Sequence, residues 1–378
     1  MAGGKNRVMI LEAGYDESMG RAVDEVFDAF SPEVSGKRVL VKPNILAPHP
    51  PEAGITTHPT LVAAVVRALK DRGAKVMVGD NPGVGGYGRA KEAADVTGIR
   101  EAAGDSYVNL AENAVRVDLF SRWADSVAVS REVLDADLVV NLPKFKTHGL
   151  TFITGAIKNT FGYVVGGEKM RMHSSGATPA RFAELVLDIY SLKPPELNVM
   201  DAVEGMEGNG PSNGSTRRIG KLLASDNAVC LDAVMVAMCG TRAANVPLVK
   251  QAGERGLGHV DPARIVTNVP VEPIPDFKLP KTYVPGLMGV VLNRFLSDKI
   301  RCVPEVIQEK CEKCGICVKH CPVDAMRVEN GRVAPDLDEC IRCYCCQEMC
   351  PNDAIRLSGR VISWLRRNAP GLEGRADR

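Results

Sequence analysis

Eight of the chain's twelve cysteines fall into two copies of one pattern. The first copy is Cys311, Cys314, Cys317 and Cys321, followed by Pro322; the second is Cys340, Cys343, Cys346 and Cys350, followed by Pro351. Both read C-x2-C-x2-C-x3-C-P, the bacterial run that holds a [4Fe–4S] cluster, so the chemistry these residues point to is one-electron transfer. A cubane cluster needs four thiolates arriving from different directions. Two-residue gaps let one tight loop present three sulfurs, and the turn at the proline carries the fourth to a neighbouring cluster. The spacing therefore predicts two [4Fe–4S] clusters. Cys311, Cys314, Cys317 and Cys350 hold one, and Cys340, Cys343, Cys346 and Cys321 hold the other. Gly315 leaves room for backbone close to the sulfurs. Zinc would want two paired knuckles with a longer gap between them, and disulfides would want an oxidising compartment. Cys345 matches Ile316 of the first copy and reads as a packing residue. Cys302 has no partner at ligand spacing, and Cys230 and Cys239 read as buried thiols in a helix.

A second concentration of chemistry lies in residues 141–173, where five Lys or Arg stand against one acid, with His148 and His173 added. Lys144 and Lys146 leave the end of the apolar run DLVVNLP, and ligands of open α/β sheets bind beyond the carboxyl ends of strands. The stretch TFITGAIKNTFG reads as a mostly apolar helix carrying Lys158 and Asn159. A lysine there needs a counter-charge, which a bound anion would supply. Lys144, Lys146 and Lys158, with Lys169 behind them, would bind that charge, while His148 or His173 would transfer protons near neutral pH. The alternative is that these lysines reach solvent along their apolar stems.

Three further segments carry weaker signals. Residues 201–214 set Asp201, Glu204, Glu207, Asn209 and Asn213 among four glycines, a source of oxygen ligands for a divalent ion or a rigid turn with solvated acids. Gly83, Gly85 and Gly88 spell G-x-G-x-x-G after a strand. Asp80, Asn81 and Pro82 intervene and make the bend too long for a dinucleotide fingerprint, so a loop lining a substrate crevice is the better reading. Beside Asn44, Thr56 and Thr57 stand where they would cap the helix opened by Pro59, and His58 could face the crevice.

The elements that must position these residues alternate strand and helix. RVMILEA, KRVLVKP, AKVMVGD, DLVVNLP, ELNVMDAV and ARIVTN read as strands. Helical segments such as ESMGRAVDEVFDAF and PTLVAAVVRALKDRG separate them. That alternation predicts an α/β fold, a mostly parallel open sheet flanked by helices, over residues 1–268. A Pro-rich linker or strap follows at 269–301. Residues 302–358 form a small α+β dicluster ferredoxin-like domain, with seven basic and ten acidic side chains and a net charge of −3. Residues 359–378 form a basic tail. The net charge of +1 over 378 residues argues against nucleic-acid binding. No apolar run reaches membrane-spanning length, and the start of the chain has no apolar leader. The expectation is a cytoplasmic protein.

The stretches VKPNIL, TTHPTLVAAVVRAL, VGDNPG, NLPKFKTHGLTFITGAIKNTFG and DAVEGMEGNGPSNG resemble the family catalogued as domain of unknown function 362, over about residues 7–268. Many members of that family carry a C-terminal dicluster ferredoxin module. The resemblance implies no settled reaction, but it agrees that the lysine-rich segment and the acidic glycine loop belong to one site. Two functions remain open. In the first, an iron–sulfur oxidoreductase passes electrons to a small anionic substrate on Lys144, Lys146, Lys158, His148 and His173. In the second, a non-enzymatic electron-transfer or metal-delivery protein docks a redox partner on its α/β domain.

Overall fold

The computed structural model describes residues 6–83, 86, 88–176, 178–283 and 302–359. Apolar residues in consecutive positions of the central strands point to opposite faces of one sheet, because side chains alternate along a strand. Val39, Val140, Val199 and Leu222 enter one core, and their neighbours Leu40, Val139, Met200 and Leu223 enter the other. Continuous apolar runs such as these mark strands covered on both faces.

The strands of the body are β1 (Arg7–Glu12), β2 (Arg38–Pro43), β3 (Lys75–Val78), β4 (Ala114–Asp118), β5 (Ser126–Ser130), β6 (Leu138–Leu142), β7 (Lys144–His148), β8 (Phe152–Ile153), β9 (Leu197–Asn209), β10 (Asn213–Ser225) and β11 (Val266–Thr267). The main sheet runs β11-β1-β10-β9-β6-β2-β3, with β7 and β8 branching from β9. Pairing is parallel across β9, β6, β2 and β3, while the β9–β10 hairpin and β1 bring antiparallel edges. β4 and β5 form a separate hairpin. Helices α1 (Glu17–Phe30), α2 (Pro59–Asp71), α3 (Ala90–Val96) and α4 (Ile99–Ala103) cover one face. On the other face lie α5 (Arg131–Asp135), α6 (Gly155–Asn159), α7 (Glu168–Ser175), α8 (Pro179–Leu192), α9 (Ala228–Met238) and α10 (Pro247–Glu254). In α1, Met19, Ala22, Val23, Val26 and Phe27 form the buried stripe, and Asp16 caps the first turn by accepting from the Ser18 amide.

Three departures from the sequence reading shape the site. Lys144–His148 is a strand of its own, parallel to β9, rather than a loop leaving β6. The segment expected to be one long helix is the short strand β8, the five-residue α6 and a 3-10 turn. α6 starts from Gly155 at φ +62, where an added Cβ would lie 2.4 Å from the Asp232 carboxylate. That carboxylate, from α9, accepts from the Ala156 and Ile157 amides at 2.6 and 3.0 Å and satisfies the first donors of the helix. Third, His58 itself caps α2, its Nδ1 accepting from Thr60, while Thr57 Oγ1 donates to the Leu142 carbonyl and accepts from the Asn44 amide. Thr57 ties β2 to β6 instead of capping the helix.

The acidic glycine segment is not an ion loop. Residues 201–209 extend β9, and Asp201, Glu204 and Glu207 have separate tasks along it. Among the described residues no group of three or more His, Cys, Asp or Glu is placed to hold a single metal ion. Residues 269–283 form the expected strap. It donates from the Lys278 amide to Glu207, from the Ile274 amide to Met238, and from the Thr282 hydroxyl to Gly149. The rest of the linker, 284–301, the tail beyond 359 and Gly85 lie outside the described residues. No described helix is long and apolar enough to cross a membrane.

Residues 302–358 carry β12 (Val303–Val306), α11 (Ile316–Lys319), β13 (Met326–Glu329), β14 (Arg332–Pro335), α12 (Cys345–Glu348) and β15 (Ile355–Ser358), with β12 paired to β15 and β13 to β14. Asp232→Ala should lower the stability of the body by roughly 2–4 kcal/mol, because two buried amides lose their acceptor. A urea titration of the variant checks this, and an unchanged midpoint would contradict it.

Candidate functional site

The two cysteine copies fold alike. Lys313 and Arg342 share a left-handed backbone, as do Gly315 and Tyr344, and Asp324 and Asp353. The Ala325 amide donates to Cys321 Sγ and the Ala354 amide to Cys350 Sγ, both at 3.2 Å. One cavity is lined by Cys311, Cys314, Cys317 and Cys350 together with Ile316, Val333 and Ile355. On the other side Cys346 has Cys343, Cys340 and Cys321 among its charged neighbours. Four thiolates of a cubane each address a different iron, so they stand further apart than the ligands of one ion. The donor chemistry and the apolar lining fit such a cluster.

The two ends of this module differ. Cys314 is exposed, whereas Cys343 and Cys345 are buried against Met170 of α7. Tyr344 holds the position of Gly315 at φ 64, a conformation that costs a side chain about 1–2 kcal/mol. Its hydroxyl donates to the Cys302 carbonyl at 3.0 Å, and its ring lies against Gly149. The tip of the β9–β10 hairpin completes the junction. Gln347 Nε2 donates to the Asn209 carbonyl at 3.3 Å, and Ser212 Oγ donates to the Glu348 carbonyl at 3.1 Å. The segment read as either a source of ion ligands or a rigid turn docks the cluster module.

Under that junction, at the carboxyl ends of β2, β3 and β6, the body buries a group of cations. Lys42, Lys144, Lys146 and Lys169 are buried, and Lys158 is nearly so. Lys42 pairs with Asp80 at 2.7 Å, and Lys144 pairs with Asp201 at 2.8 Å while also donating to Tyr15 Oη. Tyr15 stacks on His58, so His58 closes the Asp201 end rather than facing an open crevice. Among the described residues Lys146 and Lys169 donate to carbonyls alone: Ile55 for the first, Asn81 and Pro82 for the second. Lys158 faces the rings of Phe161 and Phe182 at 5.7 and 6.0 Å. Among the described residues no carboxylate lies within 4 Å of Lys146, Lys158 or Lys169; burial keeps Lys146 and Lys169 from solvent, while Lys158 is partly exposed. Glu348, from α12, reaches into the group and stands 3.4 Å from His148 Nε2.

The electrostatics exchange the roles expected of histidine and lysine. Burial, then the charge of Lys158, pushes His173 down to about 3 and His148 well below its ordinary value. His148 Nδ1 accepts from the Leu150 amide, so the proton of the neutral ring sits on Nε2, toward Glu348. Neither ring gains or loses a proton near neutrality, against the sequence expectation. Burial brings Lys146 and Lys169 down to about 7, and raises Glu348 to about 7 against the pull of Lys158 and Lys146. Within this cluster, these are the groups brought near neutral pH.

Sequence reasoning did not select Lys42, Asp80, Tyr15 or Glu348. Lys42 had a signal, a charge inside the apolar run RVLVKP. In the glycine loop, Asn81, Pro82, Gly86 and Gly88 line a cavity of about 590 Å³, and the Asn81 and Pro82 carbonyls hold Lys169.

Comparison with known proteins agrees with this division. The family model described as domain of unknown function (DUF362) matches residues 39–237, and that of the 4Fe-4S dicluster domain matches residues 304–351. A thylakoid-associated protein of Synechocystis sp. is 32% identical over 288 residues, covering 71% of this chain and 85% of that protein. Among solved structures, the lactate racemase apoprotein of Thermoanaerobacterium thermosaccharolyticum aligns with a TM-score of 0.40 at 10% identity, over 61% of this chain and 57% of that one. A Thermotoga maritima protein aligns with a TM-score of 0.37 at 16% identity, over 52% of each. The chain thus spans little more than half of either solved neighbour.

The lowered lysines set a pH dependence. Unfolded Lys146 and Lys169 hold their protons up to about 10.5, while the folded groups release them near 7. Between those values the unfolded state binds more protons, so stability rises with pH, by up to about 1.4 kcal/mol per unit for each lysine. Urea midpoints from pH 7 to 9 should rise more steeply for the parent protein than for Lys169→Met; equal slopes would contradict the assignment.

Proposed function

The chain belongs to the family of domain of unknown function DUF362, joined to an iron–sulfur domain, and on that premise we propose that it is an iron–sulfur oxidoreductase acting on a small anionic substrate. The observation that carries this reading is the position of Glu348. It lies two residues beyond Cys346 on the cluster loop and 3.4 Å from His148 among the buried lysines. An electron carrier and a basic crevice therefore meet at one junction.

In this reading two clusters are held by Cys311, Cys314, Cys317 and Cys350, and by Cys340, Cys343, Cys346 and Cys321. When bound, they supply electrons one at a time. The remaining work falls to side chains. Lys146, Lys158 and Lys169 hold the substrate's negative charge, and Lys144, fixed by Asp201, supports them from behind. Lys146 or Lys169, poised near pH 7, gives the proton that accompanies reduction. His148 and His173 act as neutral ring donors. Exposure of Cys314 suits a redox partner approaching the outer end of the module. Burial of the lysines beneath that module argues against a flat docking face formed by them. Cys230 and Cys239, buried and outside any disulfide, suit a reducing compartment, and the reading places the chain in the cytoplasm.

Anaerobic reduction followed by addition of carboxylic acids and phosphate esters tests the proposal through the visible absorbance of the clusters. At least one anion should reoxidise the protein. Lys158→Ala should slow that reoxidation by about tenfold or more, the loss expected when a charged hydrogen bond is removed. A spectrum that stays reduced across the whole panel would overturn it.

A further inference from the structure

The crevice has more positive charge than its own carboxylates balance. With every group ionised, five lysines, at 42, 144, 146, 158 and 169, face three carboxylates, Asp80, Asp201 and Glu348, an excess of two positive charges; without an anion, Lys146 and Lys169 relieve it by releasing protons near neutrality. Buried charge is retained where it is paired, because desolvation of a lone ammonium is expensive. The excess is not spread evenly. Asp80 and Asp201 are each committed to one lysine at 2.7–2.8 Å, which leaves Lys146, Lys158 and Lys169 around Glu348 alone.

Uncommitted polar atoms lie on the segments that hold the same three lysines. Among the described residues, Thr56 Oγ1, Thr154 Oγ1, Asn81 Oδ1 and His173 Nδ1 are buried and make no hydrogen bond. Thr56 follows Ile55, whose carbonyl holds Lys146, and the Thr154 amide donates to the Lys146 carbonyl. Thr154 also precedes Lys158 by four residues across the start of α6. Asn81 gives its carbonyl to Lys169, and His173 follows Lys169 by one turn of α7. Buried hydroxyls are normally bonded. The two orphan hydroxyls can donate to an anion that the three ammonium groups also bind, whereas Asn81 Oδ1 can only accept.

We propose that Lys146, Lys158 and Lys169, with the Thr56 and Thr154 hydroxyls, form a seat for a doubly charged oxyanion group, the charge class of a phosphate monoester or a dicarboxylate, centred on Lys158. This rests on reading the crevice as the substrate site, and it narrows the substrate from any anion to one that brings two negative charges. A monocarboxylate would leave one lysine unmatched. A dianion removes the excess and has enough oxygen lone pairs to use the hydroxyls as well. Lys158 is the natural centre because, among the described residues, its ammonium has neither a carboxylate nor a carbonyl partner and faces the rings of Phe161 and Phe182.

The test is isothermal titration of the oxidised, cluster-loaded full chain in near-neutral buffer with inorganic phosphate, malonate and acetate. No electron transfer is involved, so failure of turnover and failure of binding are separable. Phosphate or malonate should bind about 10–100-fold more tightly than acetate, the value of one further charged hydrogen bond. Lys158→Met should lower that affinity by about tenfold or more, and should raise the anion-free unfolding midpoint by relieving repulsion. Thr154→Val, a near-isosteric change, should weaken phosphate severalfold with the fold intact. Acetate binding as tightly as both dianions, absence of binding by all three, or phosphate affinity unchanged in Lys158→Met would each overturn the seat.

Discussion

Burying several ammonium groups at the carboxyl ends of parallel strands is the constraint around which the rest of this molecule is arranged. An unpaired buried charge costs about 3–5 kcal/mol when its partner is removed, so each lysine here must be accounted for. Asp80, just beyond β3, answers Lys42, and Asp201 on β9 answers Lys144 with help from Tyr15. The third carboxylate comes from another module altogether. Glu348 can reach Lys146 and Lys158 only because α12 is pressed onto the body. The hairpin tip, the Tyr344 wedge and the strap at 269–283 all hold that placement. Electrostatics of the crevice and docking of the redox module are thus one interaction seen from two sides.

The same constraint explains why the sheet ends as it does. Thr57 bonds to the Asn44 amide and the Leu142 carbonyl, fixing the ends of β2 and β6 relative to each other. Asn141, Asn159 and Asn44 form a chain of side-chain hydrogen bonds at 2.7–2.8 Å across the same ends. α6 could not start where it does without Gly155 and the Asp232 carboxylate behind it. Short irregular elements replace a long helix because the backbone must turn to present Lys158 beside Lys146 rather than continue along one axis.

Much of this was readable in the chain. The cysteine spacing, the strand–helix alternation and the lysine-rich stretch at 141–173 follow from local pattern, and each lies where the pattern puts it. What escaped depends on contacts between distant residues. Asp201 read as an ion ligand or a solvated turn acid because its neighbours in sequence are acidic and glycine-rich, yet its partner is Lys144, fifty-seven residues away. The histidines looked like proton carriers because their ordinary pKa suits that role, and only burial beside Lys158 removes them from it. A signal for the junction did exist in the two cysteine copies. Tyr344, Cys345, Gln347 and Glu348 replace Gly315, Ile316, Val318 and Lys319, and the replaced positions are the ones turned toward the body. Differences between internal repeats marked the interface that the repeats themselves could not.

Two ends of one small module therefore face different surroundings: Cys314 faces solvent, and Cys343 lies against the crevice. The account's central claim is that an anion held at Lys158 and the cluster end near Cys346 are immediate neighbours. Phosphorus-31 electron–nuclear double resonance on the reduced protein in saturating inorganic phosphate reads that proximity directly. The account predicts a phosphorus coupling to the reduced cluster spin that disappears in Lys158→Met. A spectrum showing only uncoupled bulk phosphate, the same in parent and variant, would contradict it.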